Sequence, residues 1–271
     1  MNLTQLRFEG FLNTPVLWKS NVIYNLTQFE IEQEQISFNM EIDAKQRLGK
    51  YVERFVSYQL TQNKTIELIA ENIQISKGKI TMGELDCLFF QDGKPIHLEV
   101  IYKFYLYDPS IGKNPLQHWI GPNRKDSLIE KLNKLQQKQL PLLYANECIN
   151  YLNSIHLNIN DIRQKVYFKA QLFVPFSMNS KIDSSINLES VIGFYINSIE
   201  IIQFKDAKFY IPNKKDWLII PHTNVDWMNY DCFITASNEY LQREFSPLCW
   251  IKLNTGVLKK FFFVWWPSQV S

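Results

Sequence analysis

The chain predicts an α/β fold in which a mixed sheet is flanked by helices, followed by a β-rich carboxyl-terminal part. Three observations carry that expectation. Two apolar runs, Gly83 to Gln91 and Lys94 to Tyr105, meet at Asp92-Gly93, the pair that a type I′ hairpin turn favours because both central residues need positive φ. Helical stripes stand on either side of this hairpin: Leu48, Tyr51, Val52 and Phe55 before it, Leu128, Leu132 and Leu135 after it. A clean alternation of Val166, Phe168, Ala170, Leu172 and Val174 then supplies a further strand of the same sheet.

In chain order, residues 1–42 mix apolar and polar segments around Pro15 and carry no motif. Asp43 to Gln62 reads as an amphipathic helix with Asp43 near its cap, and Glu53 lies off the apolar stripe, beside Gly49 and Ser57, at the edge of a cleft. Gln62-Asn63-Lys64 breaks the helix, and Thr65 to Ile75 reads as a strand that ends at Ser76-Lys77-Gly78. The hairpin follows. Its exit, Asp108 to Asn123, is rich in turn residues and contains His118 and Trp119; connections of this kind often carry substrate contacts. Asp126 to Leu140 is a helix with Lys131, Lys134 and Lys138 on a second face, and residues 141–160 have room for one more. Beyond Ser177-Met178-Asn179-Ser180 the character becomes aromatic and strand-forming. Ile199–Phe204 with Lys208–Ile211, and Trp250–Leu253 with Val257–Trp266, read as two hairpins. The expected division is a core over 1–180, including its amino-terminal extension, and a β-rich region over 181–271.

Bulk properties exclude several classes. A chain of 271 residues, 46% hydrophobic, buries a substantial core, and a net charge of +2 is far from a polycation, so any basic surface is local. Four cysteines without a CxxC pair argue against a zinc site or a disulfide framework and suit a reducing cytoplasm. Arg7 and Glu9 interrupt any signal-peptide core, and the apolar run Phe261–Trp266 is too short to span a bilayer, so a cytoplasmic protein without membrane contact is expected.

The chemistry concentrates in the hairpin. Residues two apart share a strand face, which puts Glu84 with Asp86, and His97 with Glu99, Ile101 and Lys103. Antiparallel pairing brings Asp86 towards Glu99. Carboxylates withdrawn from water need compensation, and a divalent cation supplies it. Such a cation, with an amine alongside, is what phosphodiester hydrolysis asks for. The plainer reading makes Asp86 and Glu99 edge-strand acids facing solvent or paired with Lys103, Glu53 a solvated helix residue and the lysine stripe a solvated face. His97 is either a hydrogen-bonded strand residue or a donor to Glu99. Trp119 either stacks a base or anchors its loop.

A helix glutamate (Glu53), a strand with GELD (Asp86), a strand with HLEVIYK (Glu99, Lys103), then a helix and a strand resembles the PD-(D/E)XK nuclease superfamily over about residues 43–176. The segments LGKYVERF, MGELD, LEVIYKFYL and WIGPN are similar to one bacterial family placed within it. The resemblance implies a restriction-endonuclease-like sheet, Asp86 and Glu99 as ligands for magnesium (manganese as substitute), Glu53 as support for the metal and Lys103 as the group that positions or activates water. It also implies DNA or RNA as substrate, with Lys131, Lys134, Lys138, Arg124 and Trp119 as candidate contacts. Two positions depart from the pattern. Leu85 stands where proline is usual, and Ile101 where the lysine is usual, with Lys103 two residues further along the same face, a displacement of about 6–7 Å. The leading expectation is therefore a magnesium-dependent nuclease, and the alternative a nuclease-like module that binds or assembles without cutting, through a protein partner or as a homodimer.

Overall fold

In the computed structural model of the chain, residues 2–19, 23–32, 37–178, 182 and 186–267 are described. In order they form α1 (Leu3–Asn13), α2 (Leu48–Gln62), β1 (Ile66–Lys77), β2 (Ile80–Gln91), β3 (Lys94–Tyr107), the short β4 (Trp119–Ile120) and α3 (Leu128–Lys134). There follow α4 (Asn146–Ser154), β5 (Arg163–Pro175), β6 (Val191–Ile196), β7 (Lys208–Tyr210), α5 (Tyr230–Gln242), β8 (Leu248–Lys252) and β9 (Leu258–Phe263). The fold is α/β with parallel and antiparallel strand pairs and flanking helices. The described residues group into two compact units, one from 16–102 and 130–169, the other from 1–15, 103–129 and 170–271. The division therefore does not fall at residue 180: β3 and β5 each begin in the first unit and end in the second.

The first unit is built on β1, β2 and β3, an antiparallel meander. Asp92 and Gly93 have φ of 50° and 72°, so the tight turn forms where the dipeptide places it, with Gln91 opposite Lys94 and Cys87 opposite Leu98. Leu85 and Leu88 of β2 and Ile73 and Ile75 of β1 pack beneath Leu142, Leu143, Cys148 and Leu152. The apolar stripe of α2, Tyr51, Val52, Phe55 and Val56, is buried, and Phe38 meets Phe55 edge-on at 5.0 Å. The helix starts at Leu48, later than Asp43, because the Asp43 carboxylate accepts from the Lys45 N–H at 2.8 Å and closes a local turn instead of capping.

The helix after the hairpin, expected over Asp126 to Leu140, also differs from its expected span. Regular α-helix stops at Lys134, and the chain continues through a widened π-type turn, Leu135–Gln139, and a 3₁₀ turn, Leu140–Tyr144. Pro141 has no N–H to give to Gln137, so the α ladder cannot run on unchanged there.

In the other unit β5, β6 and β9 pair in parallel, and β9, β8 and β7 antiparallel. The β8–β9 hairpin turns at Gly256, φ 83°, as its sequence predicts. Ile199–Phe204 is not a strand. The Asn197 side chain accepts from the Ile199 and Glu200 N–H groups, at 2.8 and 3.1 Å, and this starts a 3₁₀ turn over Glu200–Phe204 that overrides the alternation. Nor is this part of the chain purely β: α5, capped by the Asn229 side chain on the Cys232 N–H at 2.9 Å, buries Phe233 against Phe209 and Phe261.

Candidate metal centre

The candidate site lies within the first unit. Helix α2 supplies Lys50 and Glu53 from neighbouring positions one turn apart, and β2 supplies Glu84 and Asp86 from one strand face. One carboxylate oxygen from each of Glu53, Glu84 and Asp86 lies within 4.8 Å of the others. Neighbouring ligands of an octahedral magnesium ion stand about 3.0 Å apart and opposed ones about 4.2 Å, so these three oxygens must draw together to share one ion.

Asp86 is held by a hydrogen bond from the Val100 N–H to Oδ2, 2.8 Å long, which ties its carboxylate to β3. Burial, and then the neighbouring Glu99 carboxylate, push its pKa up to about 7, against the Val100 bond and the charges of Lys50 and Lys131. Glu99 is completely buried. Its Oε2 accepts from Gln139 Nε2 at 2.5 Å, and its Oε1 is 3.2 Å from His97 Nε2. Burial raises it to about 7 as well, opposed by Lys131 and Lys134 and reinforced by Glu53 and Glu84.

His97 is equally buried, and desolvation lowers it to about 4, so it is a neutral imidazole at ordinary pH. Gln164 Nε2 donates to the Leu140 carbonyl at 2.7 Å and lies 3.0 Å from His97 Nδ1. With Nδ1 as acceptor, Nε2 carries the proton and donates to Glu99. Two neutral donors thus hold this carboxyl in place, and neither cancels its charge. Glu53 is also raised, chiefly by burial, with the Lys50 hydrogen bond pulling the other way. Lys50 lies 2.8 Å from Glu53 Oε2 and pairs with Glu84 too; burial alone would depress its amine, and these two bonds raise it.

Of the residues singled out in the sequence, Glu53 and Asp86 come together, with Glu84 as the third member; Glu99 lies outside this group of three but near enough to raise Asp86. Lys103 is bonded elsewhere: its Nζ is 2.6 Å from Asp126 Oδ2. The cations that bear on Asp86 and Glu99 are Lys50, Lys131 and Lys134. Arg124 is paired with Asp108 at 2.9 Å and lies over the Trp266 ring at 4.7 Å. Trp119 is 1% exposed and packs edge-on against Tyr107 at 5.1 Å, which corrects the base-stacking alternative in favour of a loop anchor. Lys134 and Lys138 are exposed. Strand parity in Glu84-x-Asp86 was a usable signal for the fourth acid. Gln139 and Gln164 had none, since one depends on the widened turn and the other comes from β5.

The donor set suits a hard divalent cation. It is all oxygen, and burial, which disfavours the charged form, leaves Asp86 and the adjoining Glu99 partly protonated near neutrality. Among the described residues, no helix is long and apolar enough to cross a membrane. A family model described as a domain of unknown function (DUF1853) matches residues 12–260, and the chain belongs to that family. No curated protein and no solved structure matches.

Proposed function

We propose that this member of the DUF1853 family is a divalent-cation-dependent nuclease of the PD-(D/E)XK kind, hydrolysing phosphodiester bonds of DNA or RNA with magnesium, or manganese in its place. One observation carries the reading. Asp86 gathers with Glu53 and Glu84 within 4.8 Å, the fully buried Glu99 acts on it from β3, and Asp86 and Glu99 are both raised to about 7. Lys50, Lys131 and Lys134 offset these acids only in part, since Asp86 and Glu99 stay raised.

Glu53, Glu84 and Asp86 would hold the ion, with Glu99 closing the site from the buried side. A bound cation supplies a Lewis acid for the phosphoryl oxygens and lowers the pKa of an attacking water. The chain's own groups do the positioning. The Val100 N–H fixes Asp86, while His97 and Gln139 fix Glu99. Glu53, Glu84 and Asp86 are each partly exposed, so the substrate approaches from their side. Lys134 and Lys138 offer exposed charge to the nucleic-acid backbone. A reducing cytoplasm suits four free thiols.

A second reading, a module that binds nucleic acid or protein without cutting, has one observation in its favour. The Lys50 ammonium already bridges Glu53 and Glu84, where a cation would sit. The experiment that separates the two incubates the purified chain with plasmid, linear duplex, single-stranded DNA and RNA, in Mg²⁺, Mn²⁺ or EDTA. Cleavage that needs the ion and disappears in Asp86→Asn supports the nuclease. Absence of cleavage by the wild type, or cleavage that survives in Asp86→Asn, removes it.

A further inference from the structure

The strand position two residues after Glu99 holds Ile101, which is buried, and Lys103 is bonded to Asp126. An amine nevertheless reaches the acids from another element. Lys131 Nζ donates to Gln139 Oε1 at 2.7 Å, and Gln139 Nε2 donates to Glu99 Oε2 at 2.5 Å, so the carboxamide bridges ammonium and carboxylate. Lys131 is also the largest charge influence on Glu99 and a smaller one on Asp86.

The backbone explains why these two residues meet. Eight steps of α-helix, at about 100° each, leave two side chains about 80° apart around the axis. The turn Leu135–Gln139 is closed by the Leu140 N–H on the Leu135 carbonyl, an i→i+5 bond. Such a turn advances about 82° per residue, and four of its steps bring Gln139 to within about 10° of Lys131. The widening that Pro141 provokes is therefore also what aligns the bridge.

We propose that Lys131, carried on α3, is the catalytic ammonium of this site, and that Gln139 is its positioning residue. The proposal rests on the nuclease reading above and deepens it. In the reaction the water oxygen bonds to phosphorus as the bond from phosphorus to the leaving oxygen breaks. One water proton passes to solvent, and the leaving oxygen takes one from solvent. Lys131 remains an ammonium throughout, donating to a non-bridging phosphoryl oxygen as negative charge builds there.

The test compares Lys131→Met, Lys131→Arg, Gln139→Ala and Lys103→Met in the full chain, by Mn²⁺ affinity from calorimetry and by cleavage of plasmid DNA and single-stranded RNA. Methionine keeps the aliphatic stem, and a melting curve checks that each variant is folded. Lys131→Met should lose cleavage by about a hundredfold while binding Mn²⁺ as tightly as the wild type or more tightly, because a like charge has gone. Lys131→Arg should keep part of the rate, Gln139→Ala should lose about tenfold, and Lys103→Met should stay within about threefold. Rates within threefold of wild type in Lys131→Met, or a Mn²⁺ affinity that falls in step with the rate, overturn the assignment while leaving the nuclease reading standing. A wild type that binds Mn²⁺ and cuts nothing overturns both.

Discussion

Replacing Asp86 by asparagine should stabilise the protein, and by an amount that depends on pH. A carboxyl raised from 3.8 to about 7 is destabilised in its charged form by about 4 kcal/mol. The sign follows from proton binding. Between about pH 4 and pH 7 the folded protein holds a proton on Asp86 that the unfolded chain has released, so stability falls as pH rises through this window, and the full cost is present above it. Asparagine keeps an oxygen for the Val100 N–H and presents its amide to the remaining acids. Allowing for relaxation and water entry, the expected gain is about 2–4 kcal/mol at pH 8 in EDTA, or about 5–15 °C in melting temperature. At pH 4 the gain should shrink towards zero. Thermal melts of wild type and Asp86→Asn from pH 4 to pH 8, without divalent ions, read this directly. A variant that is no more stable at pH 8, or one whose gain is the same at both ends of the range, would refute the claim that Asp86 is held charged against its environment.

Lys50→Met removes the ammonium that pairs with Glu53 and Glu84, and should tighten Mn²⁺ binding by about three- to tenfold in calorimetry, because a competing cation has gone. Gly10→Ala places a Cβ 2.0 Å from the Leu218 carbonyl oxygen, a backbone atom with little room to move. It should cost about 2 kcal/mol or more in denaturant titration. Trp119→Ala removes a buried ring packed on Tyr107, and should lose about 3–5 kcal/mol of stability with no change in nucleic-acid affinity per folded molecule in a binding titration.

The hairpin at the centre of the site was legible because local chemistry and pattern agree there. Asp92-Gly93 accepts positive φ, and strand parity puts Glu84 and Asp86 on one side. The α2 glutamate could be found for the same reason, as the position that leaves the apolar stripe. Long-range choices were not legible. Whether Lys103 turns to the acids or to Asp126 is decided by a residue 23 positions away, and both options keep it on the same strand face. Lys131 reads as part of a basic stripe when regular helical spacing is carried to Leu140, although the turn widens over Leu135–Gln139. In the carboxyl-terminal part, Ile199–Phe204 alternates like a strand, yet one asparagine side chain bonded to two backbone N–H groups makes it a 3₁₀ turn. α5 lies among aromatic, strand-forming neighbours that mask its helical pattern.

The most direct measurement is a Mn²⁺ titration followed by electron paramagnetic resonance at pH 8, in which bound ion is lost from the free-ion signal. The account predicts saturable binding by the wild type, weakened at least tenfold in Asp86→Asn and, when the titration is repeated at pH 6.5, accompanied by proton release. Equal binding by the two proteins, or none by either, would contradict it.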